Sequence, residues 1–254
     1  MKNKAIIIDL DGVVVDSPSQ KIPSKELIQA AMFLKDRYYL CAATGRVWSF
    51  TKSILKTLKL TDPCIISAGT QICNPTTGKI LWQKALSNKA LNQVIKLLKQ
   101  HSEYKLLFND STADDYFYGG ISPEDFSFKG PVYVLNQTFV PIKIAQEIHG
   151  KLNEIKGVAC VMATAQRPGC KDLHIVNRAA TKEQAVKKLL KMIGVKKRNT
   201  IGIGDGPNDI HLFNAVGYKV AMDNAVRELK DIADEVIGSV REDGLVDYFK
   251  KLAL

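Results

Sequence analysis

The stretch AIIIDLDGVVVD, Ala5 to Asp16, decides how the chain reads. Four apolar residues, Ala5 to Ile8, run straight into Asp9, Leu10, Asp11 and Gly12. A continuous apolar run this short predicts a strand buried on both faces. Gly12 then permits a sharp turn. Open α/β sheets bind ligands beyond the carboxyl ends of their strands, which places both acids in a crevice. Turn chemistry at a strand end accounts for one aspartate. It does not account for two, because like charges so close repel unless a cation or a reaction needs them.

Outward from this strand, the alternation of elements predicts the fold. Ser24 caps a helix to about Arg37, with Leu27, Ala30, Ala31 and Leu34 on one face. Tyr39 to Ala43 is a strand ending in Thr44-Gly45-Arg46, and Phe50, Ile54 and Leu58 mark the next helix. Cys64 to Ile66 is a third strand, ending in Ser67-Ala68-Gly69, followed by a hairpin from Gln71 to Gln83 that turns at Thr76-Thr77-Gly78. Strand, helix, strand, helix, strand is the signature of a parallel sheet with crossover helices.

After Trp82 the pattern changes. Ser87 to Gln100 is an amphipathic helix. Strands are predicted at Lys105 to Phe108, Asp115 to Tyr118 and Val132 to Leu135. A helix through Ile144, Ile148 and Leu152 precedes two more, Val158 to Ala163 and Asp172 to Val176. The first pattern resumes with a helix from Thr181 to Ile193 and a strand from Thr200 to Ile203, which ends in Gly204-Asp205-Gly206-Pro207-Asn208-Asp209. Pro207 suits the first turn of a helix. Tyr218 to Ala221 and Glu235 to Ile237 are strands, Asn224 starts a helix, and another begins near Glu242. The expectation is an α/β domain formed by residues 1–82 and 179–254, with an α+β module on an antiparallel sheet inserted at 83–178.

Composition excludes several functions. The chain has 254 residues and a formal charge of +10. Its basic residues are spread, and the densest group, Lys187 to Arg198, has no interleaved aromatic, so a solvated helix face is preferred over a nucleic-acid partner. No run of about 18 apolar residues suggests a membrane span, and no secretory signal is recognised. Five cysteines without CxxC spacing fit a reducing compartment. The expected location is the cytoplasm.

Polar groups collect at three strand ends: Asp9 and Asp11; Thr44; and Asp205, Asn208 and Asp209. Carboxylates converging on one rim suit a hard cation with oxygen ligands, and magnesium keeps sites for water and substrate phosphate. Thr44-Gly45 offers a hydroxyl and backbone N–H groups at a helix start, which suits a phosphate oxygen. Lys182 opens a helix where the dipole favours an anion, so its charge suits a bound phosphate better than the helix.

DLDGVV, ATGR, a later lysine and GDGPND stand in the order and spacing of the haloacid dehalogenase superfamily, which the chain resembles over its whole α/β part. The insertion resembles a type IIB cap, as in Cof-like sugar phosphatases, sucrose-phosphate phosphatase and archaeal phosphoglycolate phosphatase. The resemblance implies a Rossmann-like core, an aspartyl-phosphate route and roles by position. Asp9 is the nucleophile and Asp11 the acid and base. Magnesium binds the Asp9 carboxylate, the Asp11 backbone carbonyl and Asp205, with Asp209 orienting that shell. Thr44, Gly45, Lys182 and Asn208 hold the phosphoryl group. Many relatives carry Asn-Gly where this chain has Ala68-Gly69, which removes one amide near the pocket.

The inserted module is expected to choose the leaving group. Strand alternation sets Leu173 and Ile175 on one face and Asp172, His174 and Val176 on the other, which turns His174 toward the crevice. The stretch HIVNR resembles one near the substrate in phosphoglycolate phosphatase-like members, which adds Asn177 and Arg178. Asn109, Asp110, Asp114 and Asp115 are further polar candidates, with solvated loop acids the commoner case. The reading is a magnesium-dependent phosphatase acting on a small soluble ester, a sugar phosphate or a phosphoglycolate-like acid. The alternatives are a phosphosugar mutase and a non-catalytic binding protein on the same fold.

Overall fold

A computed structural model of the chain describes residues 2–16, 22–110 and 119–254. The first elements are β1 (Lys4–Ile8), α1 (Lys25–Leu34), β2 (Tyr38–Ala42), α2 (Trp48–Thr57), β3 (Cys64–Ile66), β4 (Gln71–Cys73) and β5 (Ile80–Gln83). Next come α3 (Asn88–Leu98), β6 (Leu106–Phe108), β7 (Val134–Pro141), α4 (Ile142–Glu154), β8 (Val158–Thr164) and β9 (Cys170–Asn177). The last are α5 (Lys182–Ile193), β10 (Thr200–Gly204), α6 (Ile210–Ala215), β11 (Tyr218–Met222), α7 (Arg227–Lys230), β12 (Glu235–Ile237) and α8 (Gly244–Ala253).

The main sheet is parallel, in the order β12-β11-β10-β1-β2. The inner strand β1, between β10 and β2, is covered on both faces, as its unbroken apolar run requires. Ile6 and Ile8 pack with Leu27, Ala31 and Leu34 of α1 and Leu245 and Phe249 of α8. Ala5 and Ile7 pack with Ala185, Val186 and Leu189 of α5 and Leu212 and Phe213 of α6. Each isoleucine so buried stabilises the fold by about 1.5–3 kcal/mol. Ser24 caps α1 by accepting from the Leu27 N–H at 3.2 Å, and Thr181 caps α5 by accepting from Gln184 N–H at 3.4 Å. Each supplies an acceptor to an N–H that the helix itself leaves unpaired.

The second sheet is antiparallel, in the order β6-β7-β9-β8. One face carries Leu135, Cys160, Leu173 and Ile175 onto Leu91, Val94 and Ile95 of α3 and Ile148 and Leu152 of α4. The opposite face looks at the main sheet. There Val134, Ala159 and Val176 meet Val47, Phe50 and Ala68 in an apolar seam.

Three elements depart from the sequence reading. β3 does not extend the parallel sheet. It pairs antiparallel with β4 in a three-stranded sheet, touching the main sheet through a single parallel bridge, Ala43–Ile65. Three residues are too few to show in sequence which neighbour takes their hydrogen bonds. β7 runs to Pro141 rather than stopping at Leu135, because a bulge with Phe139 at φ +56° lets it resume pairing with β9. Asn224 does not start a helix: α7 begins at Arg227, and the Asn224 side chain is used elsewhere. The strand expected at Asp115 to Tyr118 lies outside the described residues.

Candidate active site

Asp9 follows β1 and is pinned by its own N–H, which donates to Ile203 O at 2.9 Å on β10. The chain then turns tightly: the N–H groups of Val14 and Val15 both donate to Leu10 O, at 2.9 and 3.0 Å. Gly12 sits at φ +69°, and a Cβ there would lie 1.9 Å from Asp205 Oδ2. Only glycine lets the β1 turn approach the β10 turn this closely.

The β10 turn is held by Asp209, which is fully buried. Its Oδ2 accepts from the N–H groups of Asp205 and Gly206, both at 3.0 Å. Its Oδ1 accepts from Lys182 Nζ at 2.7 Å. Lys182 Nζ also stands 3.4 Å from Asp9 Oδ2. The lysine at the start of α5 therefore lies between two carboxylates. Burial by itself would lower its pKa, but the charges of Asp209 and Asp9 outweigh burial and hold it above the ordinary lysine value.

Carboxylate oxygens of Asp9, Asp205 and Asp209 all lie within 4.8 Å of one another. Among the described residues, Asp9 Oδ1 is buried without a hydrogen-bond partner. Burial, and next the Asp209 charge, push the Asp9 pKa up to about 8. The same two causes push Asp205 up to about 9. One lysine does not neutralise three such groups. An oxygen-only donor set with an unused buried oxygen fits a hard divalent cation.

Asp11 lies outside that carboxylate group. Its side chain is gripped by Arg46, with Nε 3.0 Å from Oδ2 and Nη2 2.6 Å from Oδ1. The two bonds orient the carboxylate as a fork. Arg46 was visible only as the last letter of TGR, with no separate signal of its partner. Asn224 is a second group that sequence reasoning missed: its Nδ2 donates to Gly12 O at 2.9 Å and to Asp205 Oδ2 at 3.3 Å. Its Oδ1 accepts from Val240 N–H at 2.9 Å. Nothing local in the sequence marks it.

A cavity of about 260 Å³ opens over these turns. Asp9, Asp11, Gly45, Asp205 and Asn208 line it from below and His174 from above. Thr44 is placed differently from the expectation of a helix start. α2 begins at Trp48, and the buried Thr44 hydroxyl accepts from Arg46 N–H at 3.1 Å. Ala68 sits at φ +57° in the seam between the sheets.

His174 reaches the cavity wall from β9. A Cβ on Gly45 would come within 2.7 Å of its Cε1, so the two sheets touch here. Burial, then the Lys182 charge, push its pKa down to about 4, which keeps the ring neutral at pH 7. Asn177 and Arg178 serve the crossing between the sheets instead of the cavity. Asn177 Nδ2 donates to Ala85 O at 2.8 Å, and Arg178 Nε donates to Val158 O at 2.9 Å. Asn109 closes its own loop, its Oδ1 accepting from Tyr133 N–H at 2.8 Å. Asp110 is an exposed loop acid that also accepts from Ser49 N–H of α2 at 2.8 Å. Asp114 and Asp115 lie outside the described residues.

The family model described as haloacid dehalogenase-like hydrolase matches residues 6–249. Phosphoglycolate phosphatase of Archaeoglobus fulgidus is 26% identical over 255 residues, covering 100% of this chain and 98% of that protein. Phosphoglycolate phosphatase 1 of Saccharolobus solfataricus is 44% identical over 80 residues, covering 32% of this chain and 35% of that one. Among solved structures, the HAD subclass IIB sugar phosphatase BT4131 superposes with a TM-score of 0.79 at 20% identity, covering 98% of both chains. That likeness is one of fold, with the same inserted antiparallel sheet over the parallel one. With the acids of both turns in place and the family model running nearly end to end, the chain belongs to the haloacid dehalogenase-like hydrolases.

Proposed function

We propose that the chain is a magnesium-dependent phosphatase that hydrolyses small phosphomonoesters through an aspartyl-phosphate on Asp9. The observation that carries this reading is the convergence of Asp9, Asp205 and Asp209 around the Lys182 ammonium, with Asp11 held beside them by Arg46. Residues 1–82 and 179–254 form the catalytic part in this reading, and 83–178 the cap over it. The names of the relatives, two phosphoglycolate phosphatases, agree with a phosphomonoester substrate.

Asp9, Asp205 and the Asp11 backbone carbonyl hold the cation, with Asp209 positioning the turn. Magnesium, when bound, offsets the negative charge of the carboxylates and of the phosphoryl group. Asp9 attacks phosphorus, and the bond from phosphorus to the ester oxygen breaks. Asp11 gives its proton to the leaving alkoxide. A water then attacks the aspartyl-phosphate, Asp11 takes a proton from it, and phosphate leaves with Asp9 restored. Lys182, Asn208, the Thr44 hydroxyl and the Gly45 N–H hold phosphoryl oxygens, where electrostatic stabilisation is the main contribution in phosphoryl transfer.

The test is phosphate release from p-nitrophenyl phosphate and a panel of sugar phosphates, with magnesium and with chelator. Release is expected with magnesium, and none with chelator or in Asp9→Asn. Formation of an isomeric sugar phosphate without free phosphate would overturn the reading in favour of a mutase.

A further inference from the structure

Asn224 stands on the turn after β11 and lines the cavity, yet no step of the proposed reaction uses it. It is exposed, so water is available to its amide. The amide is instead spent on protein groups from three segments. Nδ2 donates to Gly12 O of the β1 turn at 2.9 Å and to Asp205 Oδ2 of the β10 turn at 3.3 Å. Oδ1 accepts from Val240 N–H, ahead of α8, at 2.9 Å. A carbonyl oxygen only accepts and a backbone N–H only donates, so turning the amide over would lose both bonds.

These bonds bear on Asp205. Its main chain is held on both sides: the N–H donates to Asp209 Oδ2 at 3.0 Å, and the carbonyl accepts from Val226 N–H at 2.9 Å. Neither bond fixes the direction of the carboxylate. Of the three acids whose oxygens lie within 4.8 Å of one another, Asp9 and Asp209 are buried and Asp205 is partly exposed. Like charges repel, and Asp205 is the acid with open space to swing into. The Asn224 bond acts on that carboxylate itself. The same nitrogen holds Gly12 O, so it ties the Asp205 side chain to the turn that carries Asp11. The two turns abut there: a Cβ on Gly12 would lie 1.9 Å from Asp205 Oδ2.

We propose that Asn224 is a positioning residue for the cation: it holds the Asp205 carboxylate against the β1 turn before the cation arrives, and so sets the cation affinity through Asp205. The inference rests on the assignment of Asp205 as a cation ligand in the proposed function. Groups that hydrogen-bond a metal-ligating carboxylate orient it, and their loss weakens metal binding about 10- to 100-fold. Val240 belongs to the same device, because its N–H anchors the amide from the far side.

The test is calorimetric titration of the protein with magnesium chloride in the absence of any ester. Asn224→Ala should raise the magnesium Kd about tenfold. Val240→Pro removes the N–H that Oδ1 accepts and leaves Asn224 unaltered. The backbone suits it, since Val240 is the first residue of a short helical turn and Ser239 before it is extended, at φ −67° and ψ 163°. It should raise the Kd in the same direction by a smaller factor. Melting in chelator checks that each variant folds, and if Asn224→Ala does not, Val240→Pro decides alone. A merely structural Asn224 would lower melting temperature equally in chelator and in magnesium and leave the Kd where it was. That result, or an unmoved Kd in either folded variant, would overturn the inference while the phosphatase reading stands. If the unaltered protein takes up no magnesium, the inference and the cation assignment fall together.

Discussion

Lys182 occupies a position that a helix disfavours, its charge at the N-terminal end of α5. What holds it there is the pair of acids it touches, Asp209 at 2.7 Å and Asp9 at 3.4 Å. Lys182→Met removes the charge but keeps the length. The phosphatase rate should fall at least a hundredfold, about 3 kcal/mol in the barrier, in the range seen when one electrostatic donor is lost. Melting temperature should fall more in chelator than in magnesium, because the cation takes over part of the neutralisation. An equal fall in both would place no cation at these acids. Arg46 gives a second test. Arg46→Lys keeps the charge but loses the planar fork on Asp11. A roughly tenfold loss in kcat/KM is expected, and none further when it is combined with Asp11→Asn, since coupled residues are not additive. Additive losses would separate Arg46 from Asp11.

At α2, a helix start is completed from outside the element. Its N-cap residue, Val47, has no side chain that can accept a hydrogen bond, and Asp110 of the cap supplies the acceptor to Ser49 N–H. This bond joins the two sheets on the side of the cavity where Phe50 and Val47 also form the apolar seam. An N-terminal cap is worth ~1 kcal/mol. Asp110→Ala should therefore weaken closure of the cap and raise KM about fivefold, with kcat little changed. Asp110→Asn, which keeps an acceptor, should restore most of the loss. Steady-state kinetics of both variants with one good substrate decide this; a fall in kcat at constant KM would refute it.

Across the whole molecule, the proposed function links stability and cation binding through the same acids. In the metal-free protein the pKa values of Asp9 and Asp205 are pushed up to about 8 and about 9. In the unfolded chain they return to the ordinary carboxylate value, about 4. Between these values the folded state holds more protons than the unfolded one, so stability must fall as pH rises through that window. Their contribution is fully present below about pH 4 and lost above about pH 9. A cation bound as proposed would take the place of the protons and oppose the fall. Melting temperatures at pH 5 and pH 9, with chelator and with magnesium, should show a drop in chelator that magnesium largely removes. Asp205→Asn should reduce the drop in chelator, and a metal-free protein whose melting is unchanged over this range would contradict the linkage. Among the described residues, no helix is long and apolar enough to cross a membrane.

The amino-acid sequence by itself determined the β1 turn, the order of the parallel elements and the insertion of an antiparallel sheet. These rest on local patterns: an unbroken apolar run, helical spacing, and glycines where the chain must turn. It also marked Asp9, Asp11, Asp205 and Asp209, because turn chemistry at a strand end accounts for a single acid and not for several together. Only the tertiary structure decided the partners. Arg46 on Asp11, Asn224 on the Gly12 carbonyl, Asp110 on α2 and Asn136 beside His174 each join residues distant in sequence. Their side chains are ordinary in sequence, and their use depends on which strands lie side by side and how closely the two sheets meet. The short strand β3 follows the same rule, since three residues do not specify a neighbour until the surrounding hydrogen bonds are allotted.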